Sequence, residues 1–546
     1  MFIDSATIKR NDKTYTRHLL RSSFRENGKV KHNTIANLSS CTDDEIKAIK
    51  LALKHKKNLF ELCSINDVKT VLQKRIGAVW ALHVIAERLG ITKALGNHLN
   101  GKLALLQVLV RVINQGSRLS AVRFSQSHAI CEVIGIEKLN EDDLYENLAW
   151  ITEKQEVIEK KLFKLRFPNA CPTLFLYDVT SSYLEGDCNE LADWGYNRDK
   201  KKSKMQIVVG LLAGPDGLPV AVRVFKGNTG DSKTVADQVR ILAKNFGARE
   251  VTLVGDRGML KGPQIDELPK DFRYITAITK PEIRKMLEEN VIQYELFSER
   301  VFEISQNGIR YVLRRNPVRA EQIAATRESK IASCLKFVQN RNDYLAAHSR
   351  ASVEVALKNV RQKINKLKAE KWLIADAEQR VINIKTDESV LEQTALLDGC
   401  YIIKSDISID NADAQTLHDR YCDLENVERA FRTIKTSHLE MRPVFVRKEK
   451  STRGHAFVVM LALLLQRELE RCWNGIDITV KEGINELAAI HMEKIHIGDT
   501  NIQNIPEPNE IGKQLLKKAM VSLPSVLPSR TANVYTKKML TSERKR

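Results

Sequence analysis

Three acidic residues that are far apart in the chain could act together in one reaction. Asp178 follows the largely apolar run Leu174–Tyr177, and Asp256 follows the run Val251–Gly255. Runs of this length and composition indicate strands buried on both faces, so each acid is expected at a strand end, where the edge of a sheet can carry a site. Glu428, the third acid, lies in a predicted helix. Taken alone, Asp178 would more often cap the turn or helix that follows it, and the two further acids favour a site instead.

Three converging carboxylates would favour the chemistry of a hard metal ion. Mg²⁺ prefers oxygen ligands, and it binds through a few carboxylates, waters and the phosphate oxygens of a substrate. Two such ions can activate a nucleophile on one side of a phosphorus atom and stabilise the leaving oxygen on the other. If the two strand acids and the helix acid converge, the sequence therefore predicts phosphoryl transfer.

The helix that carries the third acid is predicted to run from Asp413 to about Thr436. At about 100° per residue, one stripe of this helix holds the acid, an aromatic residue and two cations: Tyr421, Glu428, Arg432 and Lys435. The neighbouring stripe is apolar: Leu424, Val427, Phe431 and Ile434. We expect the apolar stripe to pack on the sheet while Arg432 and Lys435 bind phosphates beside the acid. An ordinary amphipathic helix with an i,i+4 pair between Glu428 and Arg432 fits the same spacing.

The net charge of the chain indicates a polyanionic partner. The 546 residues include 87 Lys and Arg against 68 Asp and Glu, which gives a formal net charge of +19 and a pI of about 9.4. Nucleic acid or an anionic membrane surface fits this excess, and a merely basic enzyme surface would also produce it. Membrane insertion is not expected, because the longest apolar run, residues 456–465, is far shorter than the roughly 20 residues that span a bilayer.

The first residues and the cysteines predict a cytoplasmic protein, which would be nucleoid-associated if its polyanionic partner is DNA. Residues 1–10 lack the long apolar core of a secretory signal. The nine cysteines contain no C-x-x-C pair and are typical of reduced thiols.

The order of predicted elements indicates an α/β protein of several domains, with a mixed-sheet catalytic domain, an inserted α+β domain and a helical N-terminal region. The predicted segments are an N-terminal β-hairpin and helix (1–70), a helical region for DNA binding or dimerisation (71–167), the first part of the catalytic core (168–284), the insertion (285–397), the second part of the core with the Glu428 helix (398–475), and a C-terminal helical region with a basic tail (476–546). Asn-Gly pairs at 27–28 and 307–308 each predict a tight hairpin.

One spacing and several shorter motifs occur together in this chain. The spacing is Tyr421-x₂-Leu424-x₃-Glu428-x₆-Lys435, and the shorter motifs include Val224–Thr229, Leu439–Pro443 and Arg453–Ala456. Together with the blocks around both aspartates and the N-terminal hairpin, they resemble the DDE transposases of the insertion-sequence-four superfamily, whose signature is Tyr-x₂-Arg-x₃-Glu-x₆-Lys. The resemblance covers roughly residues 1–475, with the motifs in the same order.

The resemblance implies a fold, a cofactor and roles for individual residues. The catalytic domain would be ribonuclease H-like, and Asp178, Asp256 and Glu428 would bind two Mg²⁺ ions, for which Mn²⁺ could substitute. Tyr421 and Lys435 would contact DNA near the cleaved end. Further candidates for DNA binding are basic residues close to the acids in the sequence: Arg257, Arg432, Lys200, Lys201 and Lys202. The partner would be double-stranded DNA, both transposon ends and target, and a homodimer would hold two ends together.

Leu424 departs from the family signature, which usually has arginine at this position. Its place on the apolar side of the helix predicts a packing role instead of a phosphate contact.

The motifs favour a DNA transposase that binds the terminal inverted repeats of its insertion sequence, cleaves the ends and joins them to target DNA. A ribonuclease H-like nuclease or resolvase would use the same site without strand transfer. A transposase-derived regulator would bind DNA without catalysis, and the three intact acids argue against it.

The basic charge generates a prediction about DNA affinity. Because each neutralised phosphate releases counterions, a multi-phosphate footprint should lose affinity on the order of 10³-fold or more between about 50 and about 200 mM salt. Fluorescence anisotropy on labelled duplex DNA measures this dependence, and a loss below about tenfold over the same range would contradict such a footprint.

Overall fold

The computed structural model describes residues 1–10, 13–57, 62, 68–199, 201, 203–248, 250–435, 439–442, 444–497, 500–527 and 532–537. The chain divides into two compact units. The first consists of Met1–Ile76, Ile490–Pro508 and Pro524–Pro528. The second consists of Gly77–Ala489, Asn509–Leu523 and Ser529–Arg546.

Strands and helices are numbered separately in chain order. The strands are β1 (Phe2–Arg10), β2 (Lys13–Glu26), β3 (Lys29–Asn37), β4 (Val68–Arg75), β5 (Lys138–Leu139), β6 (Leu174–Tyr183), β7 (Gln206–Ala213), β8 (Pro219–Lys226), β9 (Val251–Gly255), β10 (Phe272–Ala277), β11 (Phe302–Gln306), β12 (Ile309–Arg315), β13 (Leu373–Glu378), β14 (Val381–Thr386), β15 (Cys400–Ser405), β16 (His491–Ile497), β17 (Thr500–Asn504) and β18 (Asn533–Val534). The helices are α1 (Asp43–Lys54), α2 (Gly77–Arg88), α3 (Ile91–Leu95), α4 (Leu99–Ile113), α5 (Arg118–Ser127), α6 (Ile130–Ile134), α7 (Glu141–Arg166), α8 (Val235–Arg240), α9 (Gly262–Asp266), α10 (Lys280–Glu288), α11 (Pro317–Ala347), α12 (Val353–Lys366), α13 (Glu388–Ala395), α14 (Ala414–Cys422), α15 (Leu424–Lys435), α16 (Glu449–Cys472), α17 (Val480–Ala488) and α18 (Glu510–Lys518). No helix in these described ranges is both long and apolar enough to cross a membrane.

The first unit contains two three-stranded antiparallel sheets. One has the order β1-β2-β3, and its second turn contains Asn27 and Gly28 with φ of 49° and 79°, the left-handed backbone that an Asn-Gly pair adopts readily. This confirms the first predicted hairpin. The other sheet has the order β17-β16-β4. The helical prediction was therefore wrong for residues 71–75, 491–497 and 500–504, because β4 pairs with β16, a partner at the opposite end of the chain that local periodicity cannot reveal.

The second unit is built on an eight-stranded mixed sheet with the order β11-β12-β15-β10-β9-β6-β7-β8. β6 is parallel to β9 and β9 is parallel to β10, while the remaining neighbours are antiparallel. An apolar core packs against the central strands, with Phe175, Tyr177, Leu253 and Tyr274 among its most buried members. The long apolar helix α16 packs against α4, α7 and β8. The α/β class predicted from the sequence is confirmed.

The sequence predicted Asp178 at the end of its strand, and this prediction was wrong. β6 continues to Tyr183, because β7 pairs with it antiparallel over the whole segment from Leu176 to Tyr183. Asp256, by contrast, follows directly after β9.

The hairpin that was assigned to the insertion belongs to the main sheet. β12 pairs antiparallel with β15, so β11 and β12 extend the eight-stranded sheet at one edge. The helices α11 and α12 and the hairpin β13–β14, which the sequence reading missed, enclose a separate core that includes Val338, Val360 and Ile382.

The predicted helix 413–436 is interrupted. α14 ends at Cys422 and α15 begins at Leu424, with Asp423 between them as the C-terminal cap of α14. Arg420 forms an ion pair with the Asp423 carboxylate at 3.2 Å across this junction. The apolar stripe is buried at Val427, Phe431 and Ile434, whereas Leu424, at the junction, is half-buried.

The position of Leu424 at this junction leads to a prediction. Because its side chain is half-buried, Leu424→Arg should fold, with the guanidinium reaching solvent past the end of α15. Leu424→Ala should cost less than the about 2–5 kcal/mol expected at a fully buried site. Thermal unfolding of both variants tests this. An insoluble Leu424→Arg protein would show that Leu424 is locked in the core.

Candidate active site

The parallel pairing of β6 with β9 sets two of the predicted acids side by side. Tyr177 is the register partner of Gly255, so Asp178 and Asp256 follow at the same level of neighbouring strands. In each acid, Oδ1 accepts a hydrogen bond at 2.7 Å from the amide of the next residue.

Helix α15 brings the third acid to the same place. The buried residues Val427 and Phe431 hold the helix in a packing contact with β6. Glu428 then lines a cleft of about 360 Å³ together with Asp178 and Asp256. The three predicted acids, separated by 250 residues of chain (428 − 178), thus share one cleft.

Burial and neighbouring negative charges make the ionised form of Asp178 unfavourable. Burial raises the pKa of Asp178 to about 7, and the charges of Asp256 and Glu428 act in the same direction. The amide of Val179 and the Arg198 guanidinium offset part of this shift. A cation between the acids would relieve the repulsion.

The carboxylate oxygens of the cleft are the ligand type that a hard divalent ion prefers. Their present geometry does not form a complete metal site. Within the described ranges, no group of three Asp, Glu, His or Cys residues could by itself hold a metal ion. Mg²⁺, however, keeps several waters and takes phosphate oxygens of a substrate as ligands, so it does not need a closed protein cage. Residues that would contribute oxygens are Asp178, Asp256 and Glu428.

Tyr421 lies beside the second acid. Its hydroxyl is 3.5 Å from Oδ1 of Asp256. Burial raises the pKa of Tyr421, and the Asp256 carboxylate raises it further, so the phenol stays protonated at neutral pH and can act as a hydrogen-bond donor.

Lys435 is held by a buried acid that sequence reasoning missed. Its Nζ lies 2.8 Å from Oδ1 of Asp199, and Arg442 binds the same carboxylate oxygen. The Asp199 side chain is only 2% exposed, and its Oδ2 accepts a hydrogen bond from the amide of Tyr183. Burial lowers the pKa of Lys435, while Asp199 opposes the shift. Lys435 therefore ties the end of the Glu428 helix to the segment 195–204.

The other predicted DNA contacts differ in their positions. Arg432 is exposed and lines the cleft, and Arg257 is exposed directly after Asp256. Lys201 is exposed, with Nζ 5.8 Å from the centre of the Tyr183 ring. Lys200 and Lys202 lie outside the described residues.

A fourth acid, Asp231, also lines the cleft. Its two carboxylate oxygens lie 2.6 and 2.5 Å from Nη2 of Arg198, whose amide donates to the Ser181 hydroxyl. Two sequence signals could have pointed to these partners. Asp199 is the single acid in the basic stretch 195–204, and Asp231 follows the motif Val224–Thr229 by two residues.

The raised pKa of Asp178 generates a pH-dependent prediction for stability in metal-free buffer. Because the folded-state pKa of this acid is raised, to about 7, wild-type stability is full below the unfolded pKa near 3.8 and decreases as pH rises towards 7. Asp178→Asn keeps the side chain neutral and should therefore unfold at a higher temperature than wild type. Its advantage should grow between about pH 4 and about pH 7, by at most about 1.4 kcal/mol per pH unit, and then stay level.

Calorimetry without divalent ions measures this difference. Asp410→Asn, at an exposed position, is the matched control and should show no such trend. An Asp178→Asn protein that is equally or less stable than wild type at about pH 7.5 would contradict the unfavourable charge.

Comparisons with known proteins identify the family. The model of the transposase DDE domain matches residues 169–465, and the model of the IS1634 family transposase N-terminal domain matches residues 3–62. A comparison with curated proteins found no match. Among solved structures, the chain is similar to a piggyBac transposase in a synaptic complex with hairpin DNA, at 9% identity over 77% of this chain and 70% of that one, with a TM-score of 0.36. A likeness this distant carries no inference about the present chain. The DDE-domain match alone spans more than half of the chain, in the range that contains all three acids, so the chain belongs to the DDE transposases of insertion sequences.

Proposed function

We propose that this transposase binds the terminal inverted repeats of its own insertion sequence, cleaves the DNA at the ends and joins them to a target. The observation that carries the proposal is the single cleft shared by Asp178, Asp256 and Glu428. Three carboxylates with exposed cations beside them suit a phosphodiester substrate with bound divalent ions. DDE transposase domains generally use divalent metal ions, and we propose two Mg²⁺ ions here, for which Mn²⁺ could substitute.

We further propose that the catalytic domain is ribonuclease H-like. Support comes from the sheet, in which β6, β7 and β8 form an antiparallel meander and β9 and β10 lie parallel to β6 on its other side. Asp178 lies on β6, Asp256 directly follows its parallel neighbour β9, and Glu428 comes from a helix packed on β6.

Six residues in or beside the cleft have roles in this proposal. Asp178, Asp256 and Glu428 would hold the ions, which would activate the attacking hydroxyl and stabilise the leaving oxygen when bound. Tyr421, protonated and 3.5 Å from Asp256, can donate a hydrogen bond to a phosphate oxygen near the ions. Arg432 and Arg257 are exposed beside the acids and can bind flanking phosphates.

The same site would serve water-mediated cleavage and strand transfer by a 3′-hydroxyl. Both reactions are in-line displacements at phosphorus, and they differ only in the attacking oxygen. Since two DNA ends must be held together for transfer, we propose a homodimer in the synaptic complex. Action on chromosomal DNA would place the protein in the cytoplasm with the nucleoid.

Isosteric substitution of the acids tests the proposed role of the cleft. Asp178→Asn, Asp256→Asn and Glu428→Gln each remove a metal-binding charge at nearly constant shape, so each should lower cleavage by at least about 10³-fold while DNA affinity changes little. The substrate is a DNA fragment that carries the sequences flanking the gene, with Mg²⁺ or Mn²⁺.

Asp410→Asn is the control for loss of one exposed carboxylate and should cleave like wild type. Near-wild-type cleavage by any of the three variants would remove that residue from the site. Cleavage without joined products would leave the nuclease alternative in place of transposition.

A further inference from the structure

A second, larger cavity lies among the helices of the second unit, apart from the acid cleft. It has a volume of about 1360 Å³ and is lined by residues of α4, α5, α7 and α16 and by the segment 440–448. Among the described residues, none lines both this cavity and the acid cleft. Two sequence motifs that have no role in the acid cleft contribute residues to this lining. Glu440 belongs to Leu439–Pro443, and Arg453 and His455 belong to Arg453–Ala456.

Two buried arginines place positive charge in the lining of this cavity. Arg111 and Arg118 are each only 6% exposed, and both line the cavity. Arg111 donates to the carbonyl oxygens of Gln115 and Gly116 at 2.9 and 3.2 Å. Nε of Arg118 donates to Oε1 of Gln107 at 2.9 Å. All of these acceptors are neutral, and in the described part of the chain no carboxylate forms an ion pair with either guanidinium.

The remaining acceptor of the arginine pair, His455, is also neutral. Nη2 of Arg118 donates to Nδ1 of His455 at 3.2 Å. Burial lowers the pKa of His455 well below its usual value, and the charges of Arg118 and Arg111 lower it further, so the imidazole accepts this bond uncharged. Burial also lowers the pKa of Arg118, to about 9, and of Arg111, to about 10, so both remain cations at neutral pH.

Two buried cations near each other are costly unless an anion compensates them. Glu440 offsets the charge of Arg111 in part. The other acids of the lining have partners or are exposed: Glu190 accepts the Glu449 amide at 2.7 Å, Glu449 pairs with Arg453, and Glu146 is exposed on α7. The arginine pair therefore provides a preformed place for an anionic group that enters from solvent.

The rim of the cavity adds aromatic surface. Phe445 is 72% exposed and Tyr145 is 41% exposed, and both line the cavity beside the cations Arg447 and Lys448. Exposed aromatic rings next to basic side chains are the surface on which unpaired bases stack while the cations follow the phosphate backbone.

We propose that this cavity binds the phosphate of a nucleotide whose base is unpaired, with the phosphate at Arg111 and Arg118 and the base against Phe445. This inference deepens the proposed function, since a transposase exposes unpaired strand ends, and it rests on that function for the source of the strand. The acid cleft and the cavity share one segment of chain, 439–448. Its Arg442 lines the acid cleft, and its Glu440 and Phe445 line the cavity. A strand that leaves the acid cleft could thus continue into the cavity.

The test is the affinity of the full chain for a labelled single-stranded oligonucleotide of about 12 nucleotides, within the footprint of single-strand-binding folds. Fluorescence anisotropy in EDTA prevents cleavage. Arg118→Met should raise Kd by at least about tenfold, because it removes one of the two buried cations. Since a buried substitution can disturb folding, the exposed double variant Phe445→Ala/Arg447→Ala is the second arm, with an expected increase of about tenfold.

A matched control removes the same two residue types elsewhere. Tyr294→Ala/Arg300→Ala deletes one exposed aromatic ring and one exposed arginine outside the cavity, and its Kd should stay within about twofold of wild type. If Phe445→Ala/Arg447→Ala binds the oligonucleotide no more weakly than this control does, the inference is overturned.

Competitors distinguish the sources of the phosphate. Thymidine 5′-monophosphate and thymidine are added to the bound oligonucleotide. Displacement by the monophosphate alone supports the site and shows that a free nucleotide can occupy it. No displacement by either, with the variant effect intact, supports the site for a continuous strand. Displacement by thymidine as effectively as by the monophosphate would overturn the role of the arginine pair.

The outcome is separable from that of the proposed function. If the oligonucleotide binds as expected but no cleavage depends on the three acids, only the proposed function fails. If cleavage depends on the acids but the cavity variants bind normally, only this inference fails.

Discussion

The register between β6 and β9 is the constraint on which the candidate active site depends. Parallel pairing of Tyr177 with Gly255, on strands about 4.8 Å apart, places Asp178 beside Asp256, the residue directly after β9. Burial is the main cause of the raised pKa of Asp178, and the negative charges of Asp256 and Glu428 add to it. The buried packing of β6 against its neighbours holds the pair in place, so the sheet supplies the energy that keeps two like charges together until a cation binds.

A second electrostatic element positions the Glu428 helix. Asp199 is buried between Lys435 and Arg442, and removal of one member of such a group would leave an uncompensated charge in a dry environment. The contact links the C-terminal end of α15 to the segment 195–204, and so fixes Glu428 relative to the strand acids from the far end of the helix. A phosphate that approached Lys435 would have to compete with Asp199. Exposed Arg432 is therefore the better candidate for a direct phosphate contact in this arrangement.

What the sequence predicted well was local, and what it predicted badly depended on distant partners. Buried strands, Asn-Gly hairpins and the amphipathic helix around Glu428 follow from side-chain period and turn chemistry, and the structure has them. The extent of β6 beyond Asp178 depends on β7, and the strand β4 depends on β16, neither of which local patterns reveal. The break at Asp423 is one residue long, too short for a periodicity argument to detect. The partners of Lys435 were missed because Asp199 is 236 residues away in the chain.

The acid cleft and the arginine cavity each contain charge that burial makes unfavourable. In the cleft it is the carboxylate of Asp178, and in the cavity it is two guanidiniums that have only neutral acceptors in direct contact. A nucleic acid with bound divalent ions would complement both, since the ions supply charge to the acids and the phosphates supply it to the arginines. Because residues of one short segment, 439–448, line both places, movement of that segment would change the two sites together. The free protein bears the energetic cost of each buried charge, and relief of that cost would contribute to the free energy of binding DNA and metal. Such a site is complementary to its bound state and not to its free state.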